Sequence, residues 1–389
     1  MSDVRVLIVG GGPVGMVLAL ALQQKDIAVT LLEAREKHAS HQDQRALAIS
    51  YGTRQILHRL NVWNTIKEAT TAINTIHVSQ KGSVGRARLR AEDHGQEALG
   101  YVVPYGILCA SLDDVARQCQ TLEIKYGAEV TAILPQMDVT QVTYRDTDTL
   151  HNKTYVLVAL ADGGRSLGEI AGMTREMKKY GHDALVSKVS CELPHDNIAY
   201  ERFTPQGPMA LLPNGARDFS LVWTGKHAEI QSLLTMNEAE FLQKLHVHFG
   251  DRVGRFLTTD KRMSFPLQIS SLKPTSLPHL AVIGNAAQTM HPVAGQGFNI
   301  GIRDAWELAH MVAKTPQHEW GSEMMMKQYQ QTRKLDTQRG LIFTDFLVHL
   351  FSNEIVGVSA LRSVGIGLLD IAKPIKNRLV QKMSFGSRG

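Results

Sequence analysis

Gly10-Gly11-Gly12-Pro13-Val14-Gly15 contains the spacing Gly-x-Gly-x-x-Gly, which suits the capture of a diphosphate. Gly10 permits a tight turn, Gly12 leaves no Cβ between the backbone and a phosphate, and Gly15 lets a helix pack close to a strand. The phosphates then meet the free N–H groups and the positive dipole end of that helix. Such chemistry needs a strand before the glycines and a helix after them. Val4 to Val9 reads as a buried strand, Val14 to Gln24 as a helix rich in Ala and Leu, and Ile27 to Leu32 as a second strand. Glu33 follows the second strand, 18 residues past Gly15, where an acid accepts hydrogen bonds from an adenosine ribose. An adenine dinucleotide is expected, with NAD and FAD both open at this point.

A second constellation lies far along the chain. Gly284-Asn285-Ala286-Ala287-Gln288-Thr289-Met290-His291-Pro292 is followed by Gly295-Gln296-Gly297-Phe298-Asn299-Ile300-Gly301 and by Asp304. This run resembles the third FAD motif of the flavin-dependent aromatic hydroxylases, whose usual form is Gly-Asp-Ala-Ala-His, then Pro-x-x-Gly-Gln-Gly-x-Asn-x-Gly and an Asp. The resemblance implies FAD, with Asn285 turned to the ribityl or diphosphate region and Gly295, Gln296, Gly297, Phe298 and Asn299 at a helix start facing the flavin. Backbone N–H groups there would stabilise negative charge on the N1/C2 carbonyl edge of reduced flavin. Asn285 and Gln288 depart from the common Asp and His.

Two further stretches are similar to the same family. Asp162-Gly163-Gly164-Arg165-Ser166 looks like its Asp-Gly turn and implies Asp162 near the cofactor, but Glu169 stands where the family carries an Arg linked to NAD(P)H handling. Arg45 matches an Arg that lies close to the flavin diphosphate in that family. Gly-Tyr-Val-Val at 100–103, Phe-Thr-x-x-Gly-Pro at 203–208, Leu-Leu-Pro at 211–213, Phe-Pro-Leu at 265–267 and Thr-Asp at 344–345 narrow the resemblance to the ubiquinone-biosynthesis hydroxylases.

That resemblance implies hydroxylation of a polyprenylated phenol by a flavin C4a-hydroperoxide formed from NAD(P)H and O2, with no metal. A single complete Gly-x-Gly-x-x-Gly implies that the nicotinamide visits transiently and has no Rossmann unit of its own. His291, beside Pro292 in the loop approaching the flavin, is the candidate for polarising the phenol. A flavin halogenase is disfavoured because Trp63, Trp223, Trp306 and Trp320 nowhere form Trp-x-Trp. A flavin-binding assembly or regulatory subunit without turnover is the rival that Glu169 keeps open.

These motifs require a discontinuous scaffold. The expected fold is α/β: a Rossmann-like FAD-binding domain from residues 1–70, 101–176 and 275–335, and an inserted strand-rich substrate domain from 71–100 and 177–274. A C-terminal helical region, 336–389, completes the chain. The 389 residues are 43% hydrophobic and 20% charged, a composition that can bury a large core. The formal charge of +5 resides in five cations beyond Ile371, namely Lys373, Lys376, Arg378, Lys382 and Arg388, so the neutral body argues against nucleic acid as a partner. Three cysteines with no Cys-x-x-Cys pair fit a reducing cytoplasm and no zinc site. Leu341 to Ile371 is apolar but broken by Asp345, Glu354, Arg362 and Asp370, so a bilayer span is not expected. Apolar positions at helical spacing beside the basic tail suggest peripheral contact with anionic lipid or with other ubiquinone-biosynthesis proteins.

Overall fold

The computed structural model describes residues 5–82, 86–166, 168, 170–289, 296–334 and 380–381. Four consecutive apolar residues form β1 (Val6–Val9), buried throughout, as a strand covered on both faces requires. It runs parallel to β2 (Val29–Glu33) on one side and to Leu157–Leu160 on the other. Between β1 and β2, α1 (Pro13–Gln23) buries nine of its residues. The chain then returns after a long excursion, and Leu280–Val282 pairs in parallel with Val158, Ala159 and Leu160. In spatial order the six-stranded sheet runs Ser276–Leu277, Leu280–Val282, Leu157–Leu160, β1, β2, Leu122–Tyr126. Helix Gln296–Lys314 packs beside α1, with Ile302, Ala305 and Leu308 in the same core as Met16, Val17 and Leu20.

The chain from Thr149 to Leu160 is divided between two sheets. Thr149–Tyr155 joins a three-stranded antiparallel sheet, whereas Leu157–Leu160 enters the parallel sheet. The break lies at Val156, where the N–H groups of Val156 and Leu157 both donate to the Arg5 carbonyl. Burial changes with it: the first strand is largely exposed, the second wholly buried.

A nine-stranded sheet forms the second layer system. Its longest member, Thr174–Cys191, pairs with Met263–Lys273 on one side and Asp218–Lys226 on the other. Residues 75–80 and 86–90 extend the sheet at its far edge. Sequence reading saw only strands in this part of the chain, but two helices, His227–Thr235 and Glu238–Phe249, cover one face. The second starts at a capping box in which Asn237 and Glu240 satisfy each other's backbone N–H. Phe241, Leu245 and Phe249 then bury against Leu211, Phe219 and Leu221. The predicted C-terminal helices lie outside the described residues except for Val380 and Gln381; Val380 is buried beside Leu89, Ala91 and Leu99.

Candidate active site

The three motif glycines do different work. At Gly10 the backbone takes φ +107°, and an added Cβ would lie 2.6 Å from the Asp162 backbone; only glycine lets β1 and the Asp162 turn approach so closely. A Cβ at Gly15 would collide with the Gly10 carbonyl oxygen. Gly12 differs, since a Cβ there would meet only the Tyr105 hydroxyl, 3.8 Å away. The space in front of Gly12 is therefore open to a ligand. Gly12 is also the N-cap of α1 and supplies no side-chain acceptor, while Pro13 opens the helix. The first-turn N–H groups are left pointing outward, as anion binding requires.

Glu33 stands at the end of β2 beside this turn. Its carboxylate accepts from Gly11 N at 2.6 Å and from Arg35 through N at 2.9 Å, Nε at 2.7 Å and Nη2 at 3.1 Å. Burial alone would raise its pKa, but the hydrogen bonds and charge of Arg35 and the Gly11 N–H outweigh it, and the carboxyl lies below its ordinary value. Reciprocally, the bond to Glu33 raises the Arg35 guanidinium. Because the folded value is depressed, the stabilisation is complete above the unfolded carboxyl pKa of about 4.3 and fades as pH falls through the folded value. Glu33→Gln is expected to flatten this acid limb of a stability-versus-pH curve. An unchanged acid limb in the variant would show that Glu33 stabilises nothing by its charge.

Opposite the glycine turn, Asp162 accepts from Gly164 N at 2.8 Å and Ser166 N at 2.6 Å, which shapes the following turn. Asn285 is exposed next to Gly284, whose φ is +62°. Arg175, passed over in the sequence, ties these pieces together: its Nη2 donates to the Ala286 carbonyl at 2.6 Å and its Nη1 to Ser270 at 3.0 Å. A Cβ at Gly164 would come within 3.0 Å of the same guanidinium. No short-range sequence signal marks this role, since Ala286 is 111 residues from Arg175.

Arg45 pairs with Asp43 at 2.6 Å and lies 5.2 Å from the Tyr105 ring centroid. That ion pair raises Arg45, while the net effect on Asp43 is a lowering despite its burial. Tyr105 is a second contributor that sequence reading missed.

One cavity of about 890 Å³ brings these groups together. Gly10, Gly12, Glu33, Arg45, Asp162, Asn285, Gly297 and Phe298 border it, and its size suits a small-molecule or cofactor site. Gly15 does not border it and acts in helix packing. Gln296 is 9% exposed at the start of its helix and is also absent from the lining.

Asn299 lies in the first turn of helix Gln296–Lys314. Its Oδ1 accepts from Ser50 N at 2.8 Å and Thr53 Oγ1 at 2.7 Å, and its Nδ2 donates to Ala48 O at 3.0 Å. The side chain thus fastens the helix to β3 (Ala46–Ser50) and α2 (Tyr51–Arg59) and is 2% exposed. These buried bonds of the side-chain amide hold the helix start in place. His291 and Gly295 lie outside the described residues.

Behind the cavity, Asp304 accepts from Gly284 N at 3.1 Å and from Arg333 Nε at 2.6 Å. Both charged side chains are nearly buried, at 9% and 5% exposure for Arg333 and Asp304. The cavity continues to the nine-stranded sheet, where Val186, Leu212, Val222, Met263 and Phe265 form an apolar wall beside Lys188, Asn214, Ser220, Asp260 and Lys261. The site thus has a glycine-lined end suited to a dinucleotide and a sheet-lined end, part apolar and part polar, with room for an organic substrate.

Residues 3–343 match the family model described as an FAD binding domain. The chain is 32% identical to ubiquinone hydroxylase UbiL of Rhodospirillum rubrum over 388 residues, covering 98% of this chain and 89% of that one. It is 29% identical to 3-demethoxyubiquinol 3-hydroxylase of Escherichia coli over 387 residues, covering 97% of each. In fold it is similar to p-nitrophenol 4-monooxygenase PnpA of Pseudomonas putida DLL-E4, with a TM-score of 0.80 over 99% of both chains at 17% identity. Among the described residues no helix is long and apolar enough to cross a membrane. FAD as cofactor and the mixed α/β hydroxylase fold agree across these findings, and NAD(P)H is the reductant typical of the family. The chain belongs to the family of FAD-dependent monooxygenases that includes the ubiquinone-biosynthesis hydroxylases.

Proposed function

We propose that the protein hydroxylates a polyprenylated phenol in ubiquinone biosynthesis. The observation that carries this reading is the continuity of one cavity, from the glycine turn before α1 to the apolar wall at Val186, Leu212, Val222, Met263 and Phe265. The names of the relatives in Rhodospirillum rubrum and Escherichia coli point to the same pathway. The form Gly284-Asn285-Ala286-Ala287-Gln288 looks most like 2-polyprenyl-6-methoxyphenol hydroxylase, which makes that ring position the first to test.

Bound FAD, with NAD(P)H and O2, supplies the activated oxygen atom. The chain's own residues do the rest. First-turn N–H groups of α1 would hold the diphosphate across the open face of Gly12, beside the Arg45–Asp43 ion pair. The Glu33 carboxylate orients the adenosine ribose, sharing lone pairs now used by Gly11 and Arg35. Asp162 shapes the turn on one side, Asn285 borders the cavity on the other, and the backbone at Gly297 and Phe298 would meet the flavin. The apolar sheet wall orients the phenol and keeps water from the reacting carbon. His291 is assigned the phenol hydroxyl, as hydrogen-bond partner or proton acceptor.

The test is NAD(P)H oxidation by the FAD-loaded protein with a short-chain 2-polyprenyl-6-methoxyphenol, followed by mass spectrometry of the product. Stimulated oxidation with one oxygen atom added to the ring is the expected result. Flavin binding without any phenol-stimulated oxidation would instead identify a non-catalytic flavin-binding subunit.

A further inference from the structure

The nine-stranded sheet has a second face, and its edge carries an unusual row of side chains. Val78, Glu201, Ala210 and Val222 lie directly opposite one another across the strands, so they share the face on which Val222 borders the flavin cavity. Arg88, His77 and Tyr200 are paired one position away, which turns them to the opposite face. Strand Arg86–Arg90 reads Arg-Ala-Arg-Leu-Arg, with its three arginines exposed and Ala87 and Leu89 buried. Arg252, from the segment after helix Glu238–Phe249, joins them. These four arginines border a cavity of about 370 Å³ together with Thr75, His77, Ile198 and Tyr200.

Exposed arginines on an edge strand have an ordinary explanation, since charge there discourages pairing with other chains. Two observations go beyond it. Arg252 comes from a different element and converges on the same cavity. His77 borders the cavity at 5% exposure, and its Nδ1 is buried with no hydrogen-bond partner. Acids stand nearby as well: Glu92 contacts Arg90 at 3.4 Å, Asp251 is engaged by His246, and Asp196 acts on Tyr200. Burial and the charges of Arg252, Arg88 and Arg86 hold the His77 imidazole down to about 4, so at neutral pH it offers an N–H without adding a further cation.

We propose that this cavity is an anion site for a phosphate ester or diphosphate, separate from the FAD site. Guanidinium forks match phosphate oxygens bidentately. Successive arginines on one strand face stand about 7 Å apart, too far for one orthophosphate to span from Arg86 to Arg90, so a diphosphate or a phosphate with an attached group fits better. The intervening sheet separates the occupant from the flavin, so it does not compete with FAD. Such a group is carried either by a free small molecule or by a lipid headgroup.

The test uses the full-length, FAD-saturated protein, so that the dinucleotide site is filled. Calorimetric titration with inorganic pyrophosphate is compared for wild type, Arg86→Gln, Arg252→Gln and the double variant, with the flavin absorption spectrum and thermal melt as controls of folding. Sedimentation with vesicles of phosphatidylcholine, with and without phosphatidylglycerol, is measured on the same proteins. Each substitution is expected to weaken binding by about tenfold or more, with the flavin spectrum unchanged. Loss of pyrophosphate binding with vesicle sedimentation unaltered identifies a free phosphate compound as the source. Loss of phosphatidylglycerol-dependent sedimentation in the same variants identifies the headgroup. Wild type that binds neither probe saturably, or variants that bind both as wild type does, overturns the proposal.

Discussion

Gly12→Val is expected to give a folded, colourless protein. A side chain at residue 12 has room in the polypeptide itself, with only the Tyr105 hydroxyl at 3.8 Å from the added Cβ. The branched methyl groups would occupy the space through which the diphosphate reaches the N–H groups of α1. Each charge-assisted hydrogen bond lost there is worth roughly 1.5–3 kcal/mol, so loss of two lowers FAD affinity by about a hundredfold or more. Gly15→Ala is the control with the opposite outcome, because its methyl group collides with the Gly10 carbonyl and damages the fold itself. Visible absorbance of the purified variants, apoprotein circular dichroism and FAD titration separate the two effects. A Gly12→Val protein that retains stoichiometric FAD would remove the dinucleotide from this turn.

Arg333→Leu is expected to cost roughly 3–5 kcal/mol of stability, because it strands the Asp304 carboxylate in a buried site. The loss would be read as a lower urea midpoint in the apoprotein. In the holoprotein, FAD should be released earlier than global unfolding, since Asp304 also holds the Gly284 N–H at the cavity wall. Substituting both charged residues by leucine should recover only part of the loss, as the Gly284 N–H then has no acceptor. A single variant within 1 kcal/mol of wild type would show that the pair contributes little.

The glycine turn, β1, α1 and β2 could be read from sequence because every determinant is local: the glycine spacing, an unbroken apolar run and a helical run of Ala and Leu. The return of Leu280–Val282 to the first sheet was legible for the same reason, since a strand, a glycine turn and a helix recur in order there. The side-chain partners of Asn299 could not be read, because Ser50 and Thr53 stand almost 250 residues earlier. Arg175 and Arg333 left no trace in the sequence, for their carbonyl and carboxylate partners are meaningful only once distant strands have been brought together. The helices at His227–Thr235 and Glu238–Phe249 did carry a readable signal, the Asn237 and Glu240 capping box, obscured by the strand-forming segments around it.

Strand Thr174–Cys191 has a mechanical consequence. Its 18 residues extend on the order of 55 Å. Near one end Arg175 grips the Ala286 carbonyl, and near the other Val186 belongs to the substrate wall. Met263–Lys273 pairs with it at Thr174–Lys179 and Asp183–Val186, and Asp218–Lys226 at His182–Ser190, with a register shift between Lys179 and Asp183. That irregularity, with Gly181 at φ +67°, interrupts the ribbon between Arg175 and Val186, so the strand ties the turn at Gly284–Ala286 to the cavity wall through a bend and not through a straight strut.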